Sequence, residues 1–135
     1  MAVEINNATR SRIDTLLVRN VAERFLEVYR KKNKEVSVAL VGDRTIRRLN
    51  RTYRGLDKVT DILTFEGEGD FLGEIVIDYK QIERQARRLK VGPRRELAFI
   101  LVHGLLHLLG HTDETEEKRR RMIALGEKFL AENKF

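Results

Sequence analysis

One stretch restricts this chain more than any other: Leu97 to Glu114, which reads LAFILVHGLLHLLGHTDE. The part up to Leu109 is apolar on several sides of any helix it forms, so it must be buried on several sides too. Two histidines, His103 and His107, interrupt it. Residues at i and i+4 lie a turn apart on one helix face, so both imidazoles can meet one ion. Gly110 then ends the run, as glycine does where a helix leaves through a left-handed residue. The chain beyond it offers His111 and Asp113, each able to supply a third donor. Two nitrogen donors, one further nitrogen or oxygen donor and an open fourth position describe a catalytic site for one zinc ion. A lone histidine in an apolar helix is more often packed than ligating, but packing explains this spacing poorly.

With 135 residues the chain is expected to form a single domain around one hydrophobic core. Cysteine is absent, so any metal must be held by His, Asp or Glu. No apolar run approaches the roughly 20 residues needed to cross a bilayer. The opening MAVEINNATRSR lacks the apolar core of a signal peptide, so a soluble cytoplasmic protein is expected. A net charge of +6 suits a polyanionic partner. Charged residues make up 36% of the chain, a mix that resembles heat-adapted proteins with their surface ion pairs.

Hydrophobic periodicity predicts the elements in order. Ala2–Asn6 reads as a short edge strand, and Ser11–Lys32 as an amphipathic helix with Ile13, Leu16, Leu17, Val21, Phe25 and Val28 on one face. Glu35–Val41 alternates and is rich in β-branched residues, so it is a strand. Asp43 is placed to cap a helix over Arg44–Arg54. Asp61–Glu66 and Leu72–Asp78 read as strands joined by a short glycine-containing loop, which favours an antiparallel pair. Helices are predicted over Tyr79–Leu89, Pro93–Leu109 and Glu116–Glu132, with Pro93 tolerated in a first turn. The sum is an α+β fold: a small mixed β-sheet flanked by helices, with a central apolar metal-binding helix.

The spacing His-x3-His-x2-Gly-x2-Asp resembles the zinc helix of the metzincin proteases. Those enzymes need a glutamate general base directly after the first histidine. Gly104 stands there, so a protease is disfavoured on chemical grounds.

Three blocks together resemble the YbeY-type bacterial endoribonucleases of ribosomal RNA maturation. HGLLHLLGHTD (His103 to Asp113) is similar to the family signature His-Gly-x-Leu-His-Leu-x-Gly-Tyr-Asp-His. LNRTYRGLDKVTDILTF (Leu49 to Phe65) matches a second family block, and LGEIVID (Leu72 to Asp78) resembles a third. The resemblance implies a zinc-dependent, single-strand-preferring endoribonuclease in ribosomal RNA maturation and ribosome quality control, acting at the small ribosomal subunit. It implies His103, His107 and Asp113 as ligands, with Asp113 standing where the family has its third histidine. His111 is the rival ligand. Arg54 matches the family's functional arginine, and a guanidinium can hold two phosphate oxygens at once. The attacking group, water activated at the metal or the neighbouring ribose 2′-hydroxyl, stays open.

The non-enzymatic alternative is a ribosome-assembly RNA-binding factor whose metal is structural. Thr60 and Asp61 fit either substrate handling or strand-entry capping. Arg84, Arg87, Arg88, Lys90, Arg94 and Arg95 are expected to form a groove wall for RNA, whereas Lys118 to Arg121 (KRRR) reads as plain helix surface.

Overall fold

The computed structural model describes residues 2–135. The elements run β1 (Val3–Asn7), α1 (Thr15–Val28), β2 (Glu35–Val41), α2 (Asp43–Arg54), β3 (Ile62–Glu66), β4 (Phe71–Asp78), α3 (Tyr79–Leu89), α4 (Pro93–Leu108) and α5 (Glu116–Glu132). The sheet order is β1-β2-β4-β3; β1 and β4 both run parallel to β2, and β3 pairs antiparallel with β4. This is the expected α+β fold with a small mixed sheet. No helix among the described residues is long and apolar enough to cross a membrane.

Strand alternation builds a core on each face of the sheet. Val36, Val38 and Leu40 of β2, with Ile75 and Ile77 of β4, face the main core, where α1, α4 and α5 contribute Phe25, Leu101, Leu105 and Leu130. Val41, Leu63 and Val76 face the other way and pack against Ile46 of α2. α4 contacts α1, α3, α5 and the strands β3 and β4, which makes it the central helix. Its predicted burial follows: Leu97, Leu101, Leu105 and Leu106 are all essentially inaccessible.

Two boundaries moved for reasons of capping. α1 starts at Thr15 rather than Ser11 because the Asp14 carboxylate accepts from the Leu17 N–H at 3.0 Å. It stops at Val28 rather than Lys32, because Arg30 turns left-handed at φ 58°. Asp43, expected as the cap of α2, is its first residue instead; Gly42 occupies the cap position without a side-chain bond. The Asp43 carboxylate is engaged elsewhere, accepting from both terminal nitrogens of Arg84 at 2.6 and 3.1 Å.

That pairing sits over a buried acid. Asp78 is fully inaccessible, caps α3 by accepting from the Lys80 N–H at 3.1 Å, and leaves Oδ2 without a hydrogen-bond partner. Burial, reinforced by the neighbouring Asp43 carboxylate, pushes the Asp78 carboxyl up to about 7, while hydrogen bonding from Arg84 holds Asp43 below its ordinary range. The folded state therefore keeps a proton on this pair that the unfolded chain gives up. Its contribution to stability is complete below the ordinary aspartate pKa and is lost as pH rises through about 7. Asp78→Asn keeps the cap but cannot ionise. The variant should gain stability relative to the parent as pH rises from the ordinary aspartate pKa through about 7 in paired thermal melts. Parallel pH dependence of the two proteins would contradict this.

Candidate metal centre

α4 presents His103 and His107 one turn apart, with ring centroids 4.9 Å from each other. The helix end then folds the chain back. The Leu109 N–H reaches the Leu105 and Leu106 carbonyls, the Gly110 N–H donates to the His107 carbonyl at 2.9 Å, and the His111 N–H donates to the Leu106 carbonyl at 3.1 Å. Gly110 sits at φ 101°, a conformation that side chains rarely adopt. The reversal returns Asp113 to the helix face, with Oδ2 3.9 Å from His103 Nε2 and 3.8 Å from His107 Nε2.

These separations are too long for hydrogen bonds. They lie a few tenths of an ångström above the roughly 3.4 Å between neighbouring donors around a tetrahedral zinc. One donor atom from each residue lies within 4.8 Å of the others, so the trio is able to hold one ion. The two imidazoles are mostly covered, whereas the Asp113 side chain is 48% exposed, so the cluster opens to solvent on the carboxylate side. Desolvation, aided by the charge of His107, lowers the His103 pKa; Asp113 and Asp61 partly oppose this. The imidazole is thereby kept in the neutral form that binds metals. Donor chemistry and geometry both fit a zinc-type site.

His111 does not join the cluster. It lines a neighbouring cavity with Arg54, Thr64 and Gly110. Arg54, at the end of α2, shares that cavity and a second one of about 460 Å³ that reaches His107 and Asp113. Its Nη2 donates to the Thr64 carbonyl at 2.7 Å, and its guanidinium lies 5.8 Å from the centre of the Phe65 ring. Among the described residues it has no carboxylate within ion-pair distance, although Glu66 and Asp113 line the cavities it shares. On the opposite side, a third cavity is lined by Asp61, His103, His107, Asp113 and Arg119. Thr60 lines both this cavity and the 460 Å³ one, so Thr60 and Asp61 border the cluster as well as leading into β3.

The basic residues divide differently from expectation. Arg84 is held by Asp43, Arg94 pairs with Asp14 and Arg95 pairs with Glu127. No residue of the Arg84 to Arg95 cluster lines the cavities at the histidines, because the cluster flanks the far end of α4. Arg119, read from sequence as plain helix surface, does line one. Its signal was absent from the chain order, since only the packing of α5 on α4 brings it there.

Gly104 has a packing reason. A Cβ built there would lie 2.6 Å from Ile62 Cδ1 and 3.4 Å from two carbons of Ile75, so α4 approaches the sheet along this residue. The position after the first histidine thus faces the sheet rather than the cluster.

The family model and the curated relatives agree on one family. A family model described as Endoribonuclease YbeY matches residues 4–134. The Endoribonuclease YbeY of Geobacillus thermodenitrificans is 41% identical over 94% of this chain and 90% of its own. That of Heliobacterium modesticaldum is 42% identical over 76% of this chain and 71% of its own. A solution structure of a Thermotoga maritima protein superposes with a TM-score of 0.64 at 29% identity, covering 98% of this chain and 91% of that one.

The placement of Gly104 has a measurable consequence. Gly104→Glu should destabilise the fold by at least about 2 kcal/mol, the cost of forcing a polar group against apolar neighbours. Chemical denaturation tests this; near-parental stability would mean that a side chain there escapes the sheet.

Proposed function

This chain belongs to the YbeY endoribonuclease family, and from that premise we propose that it cleaves RNA as a single zinc-dependent domain in the cytoplasm. Its substrates are single-stranded stretches of ribosomal RNA precursors at the small ribosomal subunit, in maturation and quality control. The observation that carries the reading is the convergence of His103, His107 and Asp113 on one point beside a free arginine.

His103, His107 and Asp113 would hold the ion. When bound, it supplies Lewis acidity toward a phosphoryl oxygen and makes coordinated water easier to deprotonate. The chain's own groups do the rest. Burial lowers the His103 pKa, so protons compete less for its ring nitrogen. Arg54 is pinned through one nitrogen to the Thr64 carbonyl and turns its remaining donors toward the cavity. A guanidinium so held is suited to two oxygens of one phosphate, where it stabilises charge that grows in the transition state. Asp113 has the exposed carboxylate of the trio, which leaves the substrate side open. Zinc is favoured over harder ions because two of the three donors are imidazole nitrogens.

The test is cleavage of a single-stranded ribosomal RNA fragment before and after chelation and zinc return, with His107→Ala purified in parallel. Cleavage should follow the metal and vanish in the variant, and Asp113→Ala should lose bound zinc where His111→Ala retains it. Equal cleavage by parent and His107→Ala would defeat the reading; RNA binding without cleavage would favour an assembly factor with a structural ion. Arg54→Lys keeps the charge but not the fork. Its cleavage rate should fall roughly 10²-fold with zinc content unchanged. A parental rate would remove Arg54 from the chemistry.

A further inference from the structure

The outer face of α2 is a ladder of arginines. Arg44, Arg47, Arg48, Arg51 and Arg54 recur at intervals of three and four residues, which places them on one stripe about 15 Å long. All are exposed, while Ile46 and Asn50 fix the opposite face against the sheet side. Asp57 pairs with Arg47 at 2.8 Å and with Arg51 at 3.5 Å. Arg44 and Arg48 have no carboxylate partner among the described residues. Arg44, Arg48 and Arg54 thus leave three charges without an ion pair along α2, whereas Arg84, Arg94 and Arg95 of α3 and α4 are paired.

The stripe also forms a groove that leads somewhere. A cavity of about 710 Å³ is lined by Arg44, Arg47, Arg48, Arg51 and Val59, together with Asp43, whose carboxylate is paired with Arg84. The residues on either side of Val59, Lys58 and Thr60, line the cavity that holds Arg54, His107 and Asp113. The Asn50 side chain anchors this shared wall by donating to the Lys58 carbonyl at 3.0 Å. Tyr53, 63% exposed and edge-on to Phe65 at 5.3 Å, lies on the face of α2 that carries Ile46 and Asn50 rather than on the arginine stripe.

We propose that α2 is a track for the sugar–phosphate backbone of single-stranded RNA, running from the histidine–aspartate cluster past Arg54 and Lys58 to Arg44. Cations at helical spacing bind phosphates without regard to sequence, and exposed arginines do so through forked pairs. The occupant is a single strand because the track leads to the cavity at His107 and Asp113, whose proposed substrate is single-stranded. The direction of the track rests on the cleavage reading above. Phosphate binding along α2 does not, and it is measurable in protein that cannot cleave.

The experiment uses chelator-treated protein and a labelled oligouridylate of about 12 nucleotides, followed by fluorescence anisotropy over a salt series. Arg44→Gln with Arg48→Gln removes two unpaired charges and no ion pair. It should weaken binding about tenfold at low salt and flatten the slope of log K against log salt by about 1.4, at 0.7 per phosphate contact. Arg87→Gln with Arg88→Gln removes the same charge from α3, away from the track, and should leave the slope at the parental value. Parental binding by the α2 variant, or equal weakening by the α3 variant, would overturn the proposal. So would a duplex of equal length that binds as tightly as the single strand. If binding depends on α2 while metal-loaded protein fails to cleave, the cleavage reading falls and the track stands. Cleavage with binding indifferent to α2 gives the reverse.

Discussion

The close approach of α4 to the sheet governs the rest of the molecule. A helix apolar around most of its circumference has to be covered on most sides, and α1, α3, α5 and the strands β3 and β4 do so. Leu97, Leu101, Leu105 and Leu106 are buried completely, each contributing roughly 1.5–3 kcal/mol relative to exposure. Gly104 sets how near the helix comes, because any side chain there would meet Ile62. One residue before that contact and three after it, the histidines emerge at the rim of the core, where burial is deep enough to lower the His103 pKa yet leaves the carboxylate side open. Stability and ligand chemistry thus draw on the same desolvation.

Charge is distributed by the same economy of partners. Of the basic residues around the far end of α4, Arg84, Arg94 and Arg95 meet Asp43, Asp14 and Glu127, so half of that cluster is paired in space. On α2, Asp57 answers two arginines and leaves the rest of the stripe free. Exposed pairs of this kind add at most about 1 kcal/mol each to stability. Their larger effect is to decide which cations stay unpaired, and Arg54 and its α2 neighbours Arg44 and Arg48 are among them.

Much of this was legible in the chain. The i, i+4 histidines and Gly110 marked the helix and its reversal, strand alternation marked both faces of the sheet, and the blocks around Arg54 and His103 carried the family. What escaped was whatever depends on residues distant in sequence. Asp43 looked like a helix cap because its partner, Arg84, lies 41 residues away. Arg119 looked like solvated surface because only the docking of α5 brings it to the histidines. The choice between His111 and Asp113 was open by residue type. In the structure the His111 N–H is spent on the Leu106 carbonyl within the reversal itself, and the carboxylate that approaches both rings comes two residues later.

An aspartate in that position changes the electrostatic problem the site has to solve. Asp113 and Asp61 both border the histidines, so a phosphodiester arriving there meets carboxylates. Screening at physiological salt weakens exposed charges beyond about 8 Å, which makes nearby cations matter more than the net charge of the chain. Arg54 and Lys58 on one side and Arg119 on the other are the cations that line the same cavities. Arg119 is already shared with Glu116, whereas Arg54 has only a carbonyl and a ring. The α2 side is therefore the more attractive approach for a polyanion, and the groove that continues from it is the one lined with arginine.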